Sequence, residues 1–178
     1  MTTEKSRNTS LVPLLIAAAA LLARGPLARA ADVPFDASYM GTYQVSFATG
    51  SNGNNQLSFH GTGLGLYLGE SSVDGHSEMA PGSSPNCTQI VNDSVTLTGA
   101  NGDKLLLVNS GEDCIFAENG SLVIRGTGVM RIVSGTGRFA GATGLGTWVV
   151  TAPVTNITGT GAEGTFALRF TGRLTLNN

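Results

Sequence analysis

Large apolar side chains recur at every second position over most of the chain, the period of a strand with one buried face. Tyr43, Val45 and Phe47 alternate with Thr42, Gln44 and Ser46, and residues 50–55 (GSNGNN) then break the run with turn formers. The next run sets Leu57 and Phe59 on odd positions but Leu64, Leu66 and Leu68 on even ones. That change of face predicts a β-bulge or sharp bend at Gly61-Thr62-Gly63 within one long strand. Residues 71–85 are polar and punctuated by Gly75, Pro81, Gly82 and Pro85, which predicts a long loop or a ragged strand. Val95 and Leu97 lead into Asn101-Gly102, and Leu105 and Leu107 lead out, a hairpin whose two central residues are both expected at φ > 0.

The pattern resumes beyond that turn. A strand near residues 114–117 ends at Glu118-Asn119-Gly120, and residues 121–133 place Leu122, Ile124, Met130 and Ile132 on one face against Val123, Arg125, Val129 and Arg131 on the other. A glycine-rich stretch, residues 135–144, separates this strand from one at residues 145–152. The final run sets Phe166, Leu168, Phe170, Leu174 and Leu176 against Ala167, Arg169, Thr171, Arg173 and Thr175. About eight strands with regular turns predict an all-β fold, a closed antiparallel barrel or a sandwich. Closure would pair the long last strand on both sides and leave the Phe166 face dry.

Residues 1–30 have a different chemistry. Lys5 and Arg7 precede an uncharged apolar run, residues 11–23, and Ala28-Arg29-Ala30 follows as an A-x-A pattern. The run suits a signal peptide and is shorter than the roughly 18 residues that a spanning helix needs. Cleavage is expected between Ala30 and Ala31, with an uncleaved anchor as the rival reading, and residues 31–178 are expected to form a single soluble domain that is secreted or periplasmic. Removing the leader takes four of the ten basic residues and one of the twelve acidic ones, which leaves six against eleven. Those six are scattered from Lys104 to Arg173, so the basic stripe of a nucleic-acid binder is absent from the sequence.

Export changes the reading of the cysteines. Cys87 and Cys114 form an even pair in a compartment where disulfides persist, which predicts a bridge; two buried thiols or a nucleophilic cysteine are the alternatives. A zinc site would need both cysteines with His60 and His76, whose spacing fits no zinc-binding pattern, so neither metal nor cofactor is expected.

Gly-Thr-Gly begins at Gly61, Gly126, Gly135 and Gly159, and residues 135–140 even satisfy the G-x-G-x-x-A of dinucleotide sites. That motif works at the start of a helix, whereas here more glycine and a β-branched run follow. The segment GTGRFAGATGLGT, residues 135–147, resembles instead the turn of proteins with the allene oxide cyclase-like barrel, to which plant dirigent proteins are related. The Asn101-Gly102-Asp103 turn and the two cysteines resemble those of small exported bacterial members of that group. The resemblance implies eight antiparallel strands closed around a cavity. Within the turn itself Arg138 is expected to reach carbonyls or a carboxylate at the barrel rim and Phe139 to plug the barrel end, with a ligand-contacting role as the alternative. It carries no catalytic residue onto this chain.

Candidate site residues follow from local chemistry. His60, Tyr67 and Glu70, placed along one long strand, combine an imidazole, a phenol and a carboxylate capable of proton transfer at a barrel mouth, or else a surface histidine and a packing tyrosine. Arg125 and Arg131 are ordinary surface charges if outward and functional if inward. Trp148 lines a cavity or packs on the surface. No serine stands in a G-x-S-x-G elbow. Three functions remain: a barrel binding a small hydrophobic molecule, a cyclase or isomerase of a hydrophobic substrate, and a structural or surface-interaction protein with a filled interior. A homo-oligomer is open in all three. The volume and polarity of the interior divide them.

Overall fold

The computed structural model describes residues 30–177, so residues 1–29, which hold the expected leader, lie outside the described part. Eight strands follow in order: β1 (Ala31–Ser46), β2 (Asn55–Gly65), β3 (Gly69–Pro81), β4 (Cys87–Gly99), β5 (Lys104–Glu118), β6 (Ser121–Gly135), β7 (Thr143–Ile157) and β8 (Gly161–Leu176). Each pairs antiparallel with the next, and β8 returns to β1 to close the barrel. The final strand is therefore bonded on both flanks, with Trp148 opposite Phe170 on one side and Tyr39 opposite Leu168 on the other. Among the described residues no helix is long and apolar enough to cross a membrane.

Strand number agrees with the sequence pattern, but the partition of the chain differs. The expected bend at Gly61-Thr62-Gly63 is absent: β2 pairs with β1 without a register shift from Gln56 to Gly65. Odd residues stay inward throughout, and Leu64 and Leu66 are exposed outside the barrel. The long run instead ends in a turn at residues 66–68, where Tyr67 takes φ 70°. The polar segment expected as a long loop or a ragged strand is, from Gly69 to Pro81, the 13-residue strand β3, with Ser71, Val73, Ser77 and Met79 inward. Small polar side chains on its inner face hid its alternation from a hydrophobic pattern. The Leu105–Leu107 and Cys114–Ala117 stretches are parts of one strand, β5.

Turn chemistry also differs in detail. At Asn101-Gly102 only Gly102 has positive φ (84°), and a four-residue loop closes with Gly99 N–H donating to the Asp103 carbonyl at 2.9 Å. The turn with both central residues at positive φ is Asn119 (51°) and Gly120 (80°), between β5 and β6.

The barrel interior divides into two halves. Toward the β2–β3 turn, Phe35, Tyr39, Val73, Leu97, Leu105, Met130, Ile132 and Phe170 fill it completely. Phe139 seals this end at 1% exposure, and Arg138 reaches Asp103 with Nε 3.3 Å from Oδ2. The sealing geometry is the one the sequence suggested for this glycine-rich turn. The other half is open.

A repeated device shapes the walls: aromatic rings of one strand lie over glycines of the next. A β-carbon at Gly75 would collide with the Phe59 ring and one at Gly164 would come 2.9 Å from Tyr43, while Phe166 of β8 reaches across Gly41 of β1 to within 2.9 Å of a β-carbon at Gly61 on β2. Glycine leaves the inner surface bare, and the neighbouring ring covers it.

Candidate binding cavity

Every strand contributes to the open half. Tyr43 and Val45 (β1), Leu57 and Phe59 (β2), Met79 (β3), Ile90 (β4), Ile115 (β5), Ile124 (β6), Trp148 and Val150 (β7), and Phe166 and Leu168 (β8) enclose a cavity of about 200 Å³. Phe59 and Phe166 meet edge to face at 5.6 Å between centroids, which fixes both rings at its floor. Tyr43 is neutral there, burial pushing its hydroxyl up to about 12.

Trp148 is the broadest wall, 3% exposed, with Nε1–H donating to the Ser110 carbonyl at 3.2 Å. Its indole lies in a bed cleared by three glycines. A β-carbon at Gly111, Gly126 or Gly128 would approach the ring to 2.8, 2.9 and 2.7 Å. The Gly-Thr-Gly at residues 126–128 is thus the seat of the tryptophan.

One wall is polar. Asp93 on β4 accepts from Ser77 Oγ at 2.5 Å through Oδ1 and from the Asn109 backbone N–H at 2.7 Å through Oδ2. Burial raises its pKa above the ordinary carboxylate value, and these two hydrogen bonds oppose the rise. Asp113 on β5 has no such support: Oδ1 is buried and accepts no hydrogen bond. Burial first, and the nearby Asp93 charge second, push it up to about 6. Asn109 Oδ1 is the other buried side-chain polar atom without a partner among the described residues.

The mouth is tied down beside this wall. Cys87 and Cys114, directly opposite on the β4–β5 ladder, form the expected disulfide. The loop before Cys87 is anchored by Glu112, whose carboxylate accepts from Ser83 N–H and Oγ, and by Asn86 Nδ2, which donates to the Ile115 carbonyl at 3.1 Å. Those hydrogen bonds hold Glu112 below the usual carboxylate range. The two sulfurs bond to each other and so are not available as ligands beside Glu112.

Of the six candidate ligand-binding residues, Trp148 lines the cavity and the other five lie outside it. His60 and Glu70 point outward from β2 and β3, and Tyr67 sits in the turn at the filled end. They are not on one strand. His60 Nδ1 lies 2.6 Å from Asp74 Oδ1 on the outer surface. Arg125 and Arg131 are outward as well, and Arg125 pairs with Glu118 at 2.8 Å. Asp93, Asn109 and Asp113 escaped the sequence reading. Their signal was parity: Leu105, Leu107, Asn109 and Asp113 share one face of β5 once it is taken as a single strand.

No family model matches the chain, and no curated protein matches it either. Among solved structures, the pterocarpan synthase dirigent protein GePTS1 is similar over 83% of this chain and 93% of that one, at 13% identity and a TM-score of 0.24. At that score the likeness carries no argument, and the class of the protein, an eight-stranded closed antiparallel β-barrel with one filled and one open end, rests on its own strand pairing.

Proposed function

We propose that the chain is an exported protein that holds a small, mainly apolar molecule in the open half of its barrel. One observation carries the reading: the interior is not filled, and its walls are aliphatic and aromatic apart from one polar strip. A cavity of about 200 Å³ lined in this way suits a molecule of one ring or a short branched chain. Export is supported by the disulfide and by the start of β1 at Ala31, the residue after the expected cleavage point. The filled, purely structural barrel is the reading least compatible with this interior.

A second reading has its own observation. Asp113, held at about 6 inside an apolar cavity, is poised to give or take a proton near neutrality, as a cyclase or isomerase of a hydrophobic substrate would require.

Mass spectrometry of the protein purified from its exporting host tests both. A small apolar molecule retained under native conditions and released on denaturation supports binding. A product distinct from an added precursor, lost in Asp113→Asn, supports catalysis. A protein that retains nothing and quenches no Trp148 fluorescence with any apolar probe defeats the binding reading.

A further inference from the structure

We propose that the ligand of this cavity carries a protonated amine on an apolar body, with the ammonium seated against Asp113 and the body against Trp148 and Phe166. The inference rests on the binding reading above and adds the class of the bound molecule. Its first ground is the charge of the lining. Asp93 and Asp113 both face the cavity, and among the described residues no lysine, arginine or histidine does. Asp93 is answered by Ser77 and the Asn109 backbone, but Asp113 is answered by nothing.

The second ground is the sign of the unmet hydrogen bonding. Both orphaned atoms, Asp113 Oδ1 and Asn109 Oδ1, are acceptors, so the missing partner is a donor. A buried carboxylate without a partner is costly, and a neutral hydroxyl would satisfy its hydrogen bonding while leaving its charge uncompensated. A carboxylate ligand would face two like charges. An ammonium satisfies both demands, and the faces of Trp148, Phe59 and Phe166 attract a cation further.

No other group competes for the role. Around Asp113, β6 presents Gly126 and Gly128, and β7 presents Trp148 and Val150. From β4 comes Asp93, from β1 the neutral Tyr43, and His76 of β3 stands exposed outside the sheet. Glu112, next to Asp113 in sequence, is bound to Ser83 at the mouth.

Trp148, the single tryptophan of the chain, reports occupancy by fluorescence. The probes are ethylbenzene, phenethyl alcohol, phenethylamine and hydrocinnamate, which share a body and differ in head group. At about pH 7.5 phenethylamine is expected to bind about 10- to 100-fold tighter than phenethyl alcohol, the range of a charge-assisted hydrogen bond, with hydrocinnamate weakest. The preference should collapse in Asp113→Asn, and in the unaltered protein as pH falls through about 6, while ethylbenzene affinity stays constant. If ethylbenzene binds but the amine gains nothing over the alcohol, the amine proposal falls and the cavity reading stands. An amine preference that survives Asp113→Asn and acidification also overturns it. Should no probe bind, including ethylbenzene, both fall. The acid titration decides the matter even if the variant fails to fold.

Discussion

Asp113 and Gly126 stand opposite each other on the β5–β6 ladder, and the carboxylate lies over the bare glycine where a side chain at 126 would have to go. A single methyl there meets Asp113 Oδ1, and it also comes 2.9 Å from both Trp148 and Val150. None of these is the free end of a surface side chain. Gly126→Ala should therefore displace the carboxylate or the indole and lower stability by about 1–3 kcal/mol, the usual range for overpacking. Gly159, the first residue of another Gly-Thr-Gly, has open space around its missing β-carbon. Gly159→Ala should stay within about 0.5 kcal/mol. Chemical denaturation of the two variants compares one tripeptide in two roles, and equal losses would remove the claim that 126–128 is a seat for Trp148.

The two halves of the barrel predict unequal responses along one strand. Phe170 is fully buried in the filled half, so Phe170→Ala should cost about 3–5 kcal/mol. Leu168 borders the open cavity, and Leu168→Ala enlarges a space that already exists, with a cost nearer about 2 kcal/mol. Thr171 points to the other face, where its hydroxyl lies 3.2 Å from that of Thr147, and Thr171→Ala should cost under about 1 kcal/mol. A melting series in which these three variants shift together would contradict both the face assignment and the division of the core.

Strand number was legible because β1, β6 and β8 alternate large apolar with polar side chains, which period-two reading detects directly, whereas that pattern alone left a barrel and a sandwich both open. The middle of the barrel was not. On β3 the inner positions include Ser71, Gly75 and Ser77, so its buried face contrasts little with its outer one. On β2 the inner Gly61, Gly63 and Gly65 gave no signal, while the outer Leu64 and Leu66 gave a misleading one. Covering of glycine by a ring from the adjacent strand is a property of paired strands and is invisible along either alone. The site shared that fate: Asp113 stands opposite Thr88 and Gly126, and only pairing turns an ordinary aspartate into a buried acid.

The disulfide closes a segment whose ends are 27 residues apart, across the two strands that carry Asp93 and Asp113. On the chain-entropy account a loop of this length contributes about 3–4 kcal/mol. Reduction under native conditions, or the double change Cys87→Ser with Cys114→Ser, should lower the melting temperature by several degrees. Ligand release should accompany it, because Cys87 and the loop before it form part of the mouth. An unchanged melting curve after verified reduction would count against any stabilising role.

Glu78 gathers the β1–β2 loop and β4 onto β3. It accepts from Ser51 N–H at 3.1 Å, Ser51 Oγ at 2.6 Å and Asn92 Nδ2 at 2.9 Å. The Ser51 hydrogen bonds first, then Asn92, lower its pKa from 4.5 to about 2. With the folded value depressed, its stabilisation is present above 4.5 and is lost as pH falls toward about 2. Glu78→Gln should flatten this acid limb, and the limb should be unchanged if Glu78 holds nothing in place.

Asp113 works in the opposite direction and sets the neutral side of the profile. Its folded value is raised from 3.8 to about 6, so between those limits the folded state binds a proton that the unfolded chain has released. Stability contributed by this residue therefore rises as pH falls through about 6 and is complete below 3.8, while at neutral pH the ionised group burdens the fold. A displacement of about two pH units corresponds to roughly 3 kcal/mol. Asp113→Asn keeps the shape and removes the charge, so at about pH 7.5 it should stabilise the empty protein by up to about that amount. Near the lower limit of 3.8 the two proteins should melt together, because the native carboxyl is already neutral. A saturating cationic ligand should reverse the order at neutral pH, since it stabilises the protein that retains the charge and does little for the variant. Melting curves of both proteins across this range, with and without phenethylamine, give the sign at each point. A variant less stable than its parent at neutral pH without ligand would mean that Asp113 already has a partner inside the barrel.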